Sequence, residues 1–177
     1  MRFLLPIVLI APGLAFAAGS GGDAGAPTTT KTTKDCKGVK VWDQAKNRCV
    51  KPKNSSLDTD GLYQAVRELA YAGRYLDAQG VLQAMPDQSD DRVLTYWGFT
   101  HRRLGNLELA HAFYQDAIDR NPDNILARSY MGQGLVEQGR VDEAVAQWRE
   151  IAARGGKGSW AETSLREALR TGQTQNY

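Results

Sequence analysis

Cysteine and histidine are scarce, at two of each in 177 residues. A zinc centre takes about four ligands from such residues, and no histidine lies near either cysteine, so no metal site is expected. The chain also lacks a serine elbow, a phosphate-cradling glycine loop, an HExxH helix and a CxxC pair. Hydrolytic, nucleotide-binding and dithiol redox chemistry therefore have no residues to rest on, and neither catalysis nor a cofactor is expected. Long apolar runs are missing too. The most apolar stretch, Phe3 to Leu14, is broken by Pro6, Pro12 and Gly13. It is shorter than the roughly 20 residues that span a bilayer.

What that stretch does carry is an address. It follows Arg2 and ends at Ala15-Phe16-Ala17, a small–x–small pattern before Ala18. A positive charge, a short apolar core and a small-residue cut site predict a secretory signal peptide over residues 1–17. An uncleaved anchor is the alternative, which length and flanks argue against. No cysteine adjoins the cut, so no lipid anchor is expected. The expected mature chain has no transmembrane segment and is periplasmic or secreted. Cys36 and Cys49 are then the only pair, and exported chains form and keep disulfides. Bridging them closes a loop worth about 3 kcal/mol in the chain-entropy account.

Composition divides the rest. Residues 18–35 are Gly-, Ala-, Ser- and Thr-rich without apolar periodicity, which predicts a disordered linker. Over residues 36–52, Val39, Val41 and Trp42 precede the polar turn Asp43 to Asn47, and Val50 follows Cys49. Two short strands clipped by the disulfide fit this pattern, which resembles small clipped hairpins of exported bacterial proteins. Charge is uneven. From Lys31 to Lys53 there are eight basic and two acidic residues, a balance of +6; from Asn54 onward thirteen basic face seventeen acidic residues, a balance of −4. The basic arm either attracts an anionic envelope surface or is a solvating spacer. Nucleic acid is not expected as a partner for an exported chain with an acidic body.

Beyond Leu57 glycine keeps a beat. Gly73, Gly105 and Gly139 are 32 and 34 residues apart, within the similar runs Ala72 to Ala78, Leu104 to Ala110 and Gln138 to Ala144. A repeat of that length with helical apolar spacing predicts stacked helical hairpins. The helices are expected over about 59–72, 75–85, 91–104, 107–120, 125–138, 141–153 and 159–170. Small residues at Ala78, Gly98, Ala110, Gly132 and Ala144 let paired helices approach, and the repeated glycines supply the positive φ that ends each first helix. Pro86 and Asn121-Pro122 stop the second helices. The last helix has a polar side (Glu162, Arg166, Glu167, Arg170) and an apolar side (Trp160, Ala161, Leu165, Ala168, Leu169), as a cap should.

Three sets of residues carry a family resemblance. The middle unit offers Leu94, Trp97-Gly98, His101, Gly105, Ala110, Tyr114, Ala117 and Pro122. The third offers Met131-Gly132, Leu135, Gly139, Ala144, Trp148 and Ile151, and the first Leu62, Ala65, Leu69, Gly73, Ala78, Leu82 and Met85. Together they resemble the tetratricopeptide repeat (TPR) family, in the form of an exported bacterial TPR protein. His101 stands where the family prefers Tyr, and Gly155-Gly156 where it prefers Pro. The resemblance implies an all-α solenoid over residues 57–177: hairpins at about 59–90, 91–124 and 125–158, and a capping helix at 159–171.

It also implies a concave face, lined by the first helix of each pair, that holds a peptide or protein segment. In that register Tyr63, Arg67, Tyr96, Phe99, Arg102, Arg103, Tyr130 and Gln133 point inward. Exposed aromatics with arginines are hot-spot residue types, and the arginines favour carboxylates. The other reading is that the tyrosines and Phe99 pack between neighbouring hairpins. The family's Lys/Asn carboxylate clamp is missing, because its positions hold Tyr63, Arg67, Tyr96, Leu126 and Tyr130. His101 takes a packing position and, with His111, reads as a core histidine before a base. The implied function is a non-catalytic exported scaffold. The alternative is an envelope-associated assembly or structural factor attached through its basic, clipped arm.

Overall fold

Side-chain caps and turn glycines set the element boundaries. The computed structural model describes residues 25–174; the signal peptide expected over residues 1–17 lies outside them. Among the described residues the order is α1 (Lys31–Lys34), β1 (Val41–Asp43), β2 (Arg48–Val50), α2 (Thr59–Tyr71), α3 (Tyr75–Leu82), α4 (Asp91–Arg103), α5 (Leu107–Arg120), α6 (Ile125–Glu137), α7 (Val141–Ile151) and α8 (Trp160–Thr171). Helices α2, α4, α6 and α8 each start on a side-chain cap: Asp58, Asp90, Asn124 and Ser159 accept from the main-chain N–H of the second or third helical residue. Such caps satisfy donors that the first helical turn leaves unpaired. Helices α3, α5 and α7 lack them and instead follow Gly73, Gly105 and Gly139, whose φ values of 75°, 85° and 74° reverse the chain.

The helices are arranged as a repeat. Pairs α2–α3, α4–α5 and α6–α7 pack as hairpins, and successive first helices meet, α2 with α4, α4 with α6 and α6 with α8. The approach is close enough to require small residues. A β-carbon at Gly132 would lie 2.5 Å from Leu165 Cδ2, so α8 packs on a gap in α6. Ala78, Ala110 and Ala144 are buried in the seams. After α7 the chain widens into a π-type turn over Ala152–Gly156, with Gly155 at φ 79°.

The clipped hairpin forms as expected. Cys36 and Cys49 are bridged with Cα atoms 5.5 Å apart, and Val41 pairs Val50, Trp42 pairs Cys49 and Asp43 pairs Arg48. It is not a free arm, however, and the linker expected to stay disordered through residue 35 is ordered before it. Residues Lys31–Lys34 are helical and Thr32 is buried. The cause is a carboxylate far along the chain: Glu68 of α2, itself buried, accepts from Thr30 N (2.6 Å), Thr30 Oγ1 (2.7 Å), Thr33 N (3.2 Å) and Thr33 Oγ1 (2.5 Å). Arg74 adds a second grip, donating to the carbonyls of Cys36 (2.9 Å) and Gly38 (3.1 Å). Val39 fills the space above Gly80 of α3, where a β-carbon would meet it at 2.5 Å.

The hairpin is also tied, through Asp43, to the segment that leads into α2. Ser56 Oγ and Ser56 N donate to its carboxylate at 2.7 Å each, and Lys46 N at 3.0 Å. Burial works to raise its pKa, but the Ser56 and Lys46 hydrogen bonds outweigh that and lower it to about 2. At the other end, Glu162 corrects the expected polar side of α8. It is buried because Trp148 Nε1 donates to it at 2.7 Å while Arg166 pairs with it at 3.2 Å. None of the helices of the described residues is long and apolar enough to cross a membrane.

Candidate functional site

The row expected to face inward is built by α2, α4 and α6, whose matching positions carry the aromatics. Their rings form a ladder: Tyr63 to Tyr96 at 5.6 Å, Tyr96 to Phe99 at 5.9 Å, Phe99 to Tyr130 at 4.8 Å and Tyr130 to Trp160 of α8 at 5.9 Å between centroids. The first and last of these contacts are edge-on, the arrangement that aligns a positive ring edge with a negative face. All four inner aromatics are at most 1 % exposed. An exposed aromatic surface is therefore not what the row presents. First helices that touch side by side bring the rings into one another, so the packing reading describes them.

The polar members of the row are also engaged. Arg67 is 5 % exposed; its Nη1 donates to Gln64 Oε1 at 3.0 Å, its Nε to Tyr96 Oη at 3.4 Å, and its Nη2 to the main-chain carbonyl of Gly25 at 2.7 Å. Arg102 is buried and pairs through Nη1 with Glu137 at 2.7 Å, its guanidinium 5.8 Å from the Phe99 ring centre. Gln133 is buried with Nε2 at 3.4 Å from the hydroxyls of Ser129 and Ser164. Arg103 alone of the eight expected residues stays half-exposed, donating to Tyr75 Oη at 3.1 Å. The arginines expected to await a carboxylate thus hold a carbonyl, a tyrosine or a glutamate already.

An open cleft lies at the N-terminal ends of the same helices. A cleft of about 100 Å³ is lined by Tyr63, Asp91, Arg92, Thr95, Asn121 and Asn124, among others. Arg92 spans Asp60 at 2.9 Å and Asp90 at 3.1 Å and stacks 4.8 Å from the Tyr63 ring centre; the hydrogen bond to Asp90 leads in raising its pKa, against the opposing effect of burial. Asn121 and Asn124 both donate to Asp91 Oδ2, at 2.8 and 2.7 Å. Asp91, Asn121 and Asn124 were not among the residues that sequence reasoning placed in the site. The one available signal was the pair of asparagines around Pro122, which mark a turn feeding a capped helix. Glu137, at the far end of the row, accepts from Thr174 Oγ1 at 2.5 Å.

His101 sits outside this row, in a stack with Trp97 (5.8 Å) and Phe113 (5.5 Å). Burial pushes its pKa below the ordinary histidine value. Among the described residues no group of three or more His, Cys, Asp and Glu side chains is arranged to hold a metal ion.

Comparison with known proteins gives a partial likeness. The Phagocyte signaling-impaired protein of Drosophila pseudoobscura pseudoobscura is 33% identical to this chain over 78 residues, 42% of the chain. The chain spans only 8% of that relative's length. No family model matches the chain, and no solved structure matches it.

Proposed function

We propose that this chain is a non-catalytic TPR-type scaffold, exported into an oxidising compartment, that holds an extended peptide or protein segment along the inner edge of α2, α4 and α6. One observation carries the reading. Arg67, a residue of this row, donates to the main-chain carbonyl of Gly25, 42 positions away. The row therefore has the chemistry to grip a polypeptide backbone, here the chain's own. The repeat interval, the turn glycines and the first-helix contacts support the TPR assignment, because hairpins that bury their faces only by stacking form such arrays. The Cys36–Cys49 bridge supports export, since reducing compartments keep thiols apart.

Because the aromatics are packed, the contacts with a partner fall to the rim: Gln64 and Tyr71 on α2, Arg92 and Arg103 on α4, Glu137 on α6. A photo-crosslinking residue at Gln64 or Tyr71, with Asp116 on α5 as the outer control, tests this in envelope extract. Crosslinks to a partner from the inner positions and not from Asp116 are expected. Crosslinks from Asp116 alone, or from neither side, sink the reading. Cell fractionation should find the chain beginning at Ala18 in the periplasm or medium.

A further inference from the structure

The basic residues of this protein fall into two populations. In the helical body, eight of the thirteen, all arginines, lie within 4.0 Å of a carboxylate. Between Lys31 and Lys53 seven of the eight are lysines, and all eight are exposed. Only Lys46 has a carboxylate partner there, Asp43 at 3.7 Å. Among the described residues, Lys34, Lys37, Lys40, Arg48, Lys51 and Lys53 have no ion pair. The two acidic residues of the stretch do little to cancel this field: Asp43 is buried under Ser56 and Lys46, and Asp35 is one charge.

These cations do not ride on a loose tail. The Cys36–Cys49 bridge, the Glu68 grip on Thr30 and Thr33, the Arg74 grip on Cys36 and Gly38, and Val39 on Gly80 hold them against α2 and α3. A fixed array of like charges keeps its cost of assembly in the fold and presents its whole field at once. Beside it lies apolar surface: Val39 is 39 % exposed, and Trp42 is half-exposed with Lys31 Nζ 4.2 Å from its ring centre. Lysines flanking a tryptophan match the headgroup layer of a bilayer, where amphipathic rings and ammonium groups both settle.

We infer that the clipped module over Lys31–Lys53 is a docking face for anionic phospholipid headgroups, seating the helical stack on a bilayer by its N-terminal end. An anionic bilayer offers many headgroups to this fixed array at once, whereas a flexible polyanion wrapping the protein would run into the body's balance of −4. The attachment uses the lysines and Trp42 of the module rather than the residues of the row on α2, α4 and α6, although Trp42 and Gln44 share a cleft with Gln64 and Glu68 of α2.

The chain from Ala18 onward, which contains every described residue and omits the apolar N-terminal run, is the material to test. It is mixed, with its disulfide formed, with phosphatidylcholine vesicles with and without phosphatidylglycerol. Binding is expected to the anionic vesicles alone, falling more than tenfold between about 0.05 and 0.5 M salt as screening sets in. Each neutralised lysine should cost about five-fold, so Lys34→Gln/Lys37→Gln/Lys40→Gln together should lose about a hundredfold. The body variant Arg120→Gln/Arg149→Gln, both exposed, should bind like the parent. Circular dichroism and a thiol assay verify that each variant is folded and bridged. Equal binding to neutral vesicles, no binding to either, or an equal loss in the body variant overturns the proposal. Tighter binding to a DNA duplex or to heparin than to the anionic vesicles at matched salt overturns the lipid assignment.

Discussion

A β-carbon on Gly98 of α4 would lie 2.6 Å from Cδ1 and Cε1 of Tyr114 on α5: the tyrosine ring occupies the space that the glycine leaves. That relationship sets how closely the middle hairpin closes.

Gly98→Ala should therefore destabilise, although alanine favours helix. Overpacking against an aromatic ring costs about 1–3 kcal/mol, against about 1 kcal/mol gained in propensity. Thermal unfolding should show a lower Tm, and Gly98→Ala/Tyr114→Leu should recover part of the loss. An unchanged Tm for the single variant would mean that the ring moves aside freely.

Glu68→Ala should free the segment ahead of the hairpin. It removes the acceptor of four hydrogen bonds, and stranded donors cost on the order of 2 kcal/mol. Hydrogen exchange should speed up at the Thr30 and Thr33 amides while α4 to α7 stay protected. Uniform protection loss across all helices would contradict a local role.

The Asp43 carboxyl gives the hairpin a pH dependence of known sign. Its folded pKa of about 2 lies below the ordinary 3.8, so its contribution is complete above about pH 4 and disappears as pH falls toward 2. Protection of the Ser56 amide, followed by NMR, should decline in that window and lose the dependence in Asp43→Asn. A decline centred well above pH 4 would point to another group.

Arg102 makes an unusual prediction. Its side chain is 1 % exposed, and its Nε and Nη2 have no acceptor among the described residues, so burial of the charge is only partly compensated. Glu137 keeps 29% of its side-chain surface and can be hydrated if left alone. Arg102→Met should leave stability within about 1 kcal/mol of the parent or raise it, whereas Arg102→Ala should lose about 2–4 kcal/mol through the cavity. Chemical denaturation separates the two, and a Met variant as damaged as the Ala variant would show that the ion pair itself stabilises.

The helical part was legible because local signals suffice for it. Gly73, Gly105 and Gly139 sit where a positive φ must reverse the chain, and Ala78, Gly98, Ala110, Gly132 and Ala144 mark the close approaches. Helix α3 ends at Leu82 rather than near residue 85, because Gln88 Nε2 takes the carbonyls of Leu82 and Met85, a contact no local pattern encodes. The order of residues 30–38 depends on Glu68 and Arg74, more than thirty positions away. A threonine- and lysine-rich window gives no hint of such partners. The inner aromatics were ambiguous for another reason. Tyrosine and phenylalanine at those positions serve a recognition surface or a seam equally well, and only the distance between first helices decides.

Val39 over Gly80 at one end and α8 over α6 at the other have a last consequence. A repeat with bare ends would offer each copy a surface on which the next could continue the stack, and growth into fibres would follow from mass action. Here a stapled hairpin covers the first helical pair, and α8 turns Thr163, Arg166 and Arg170 outward. Sedimentation of the protein should stay the same as its concentration rises.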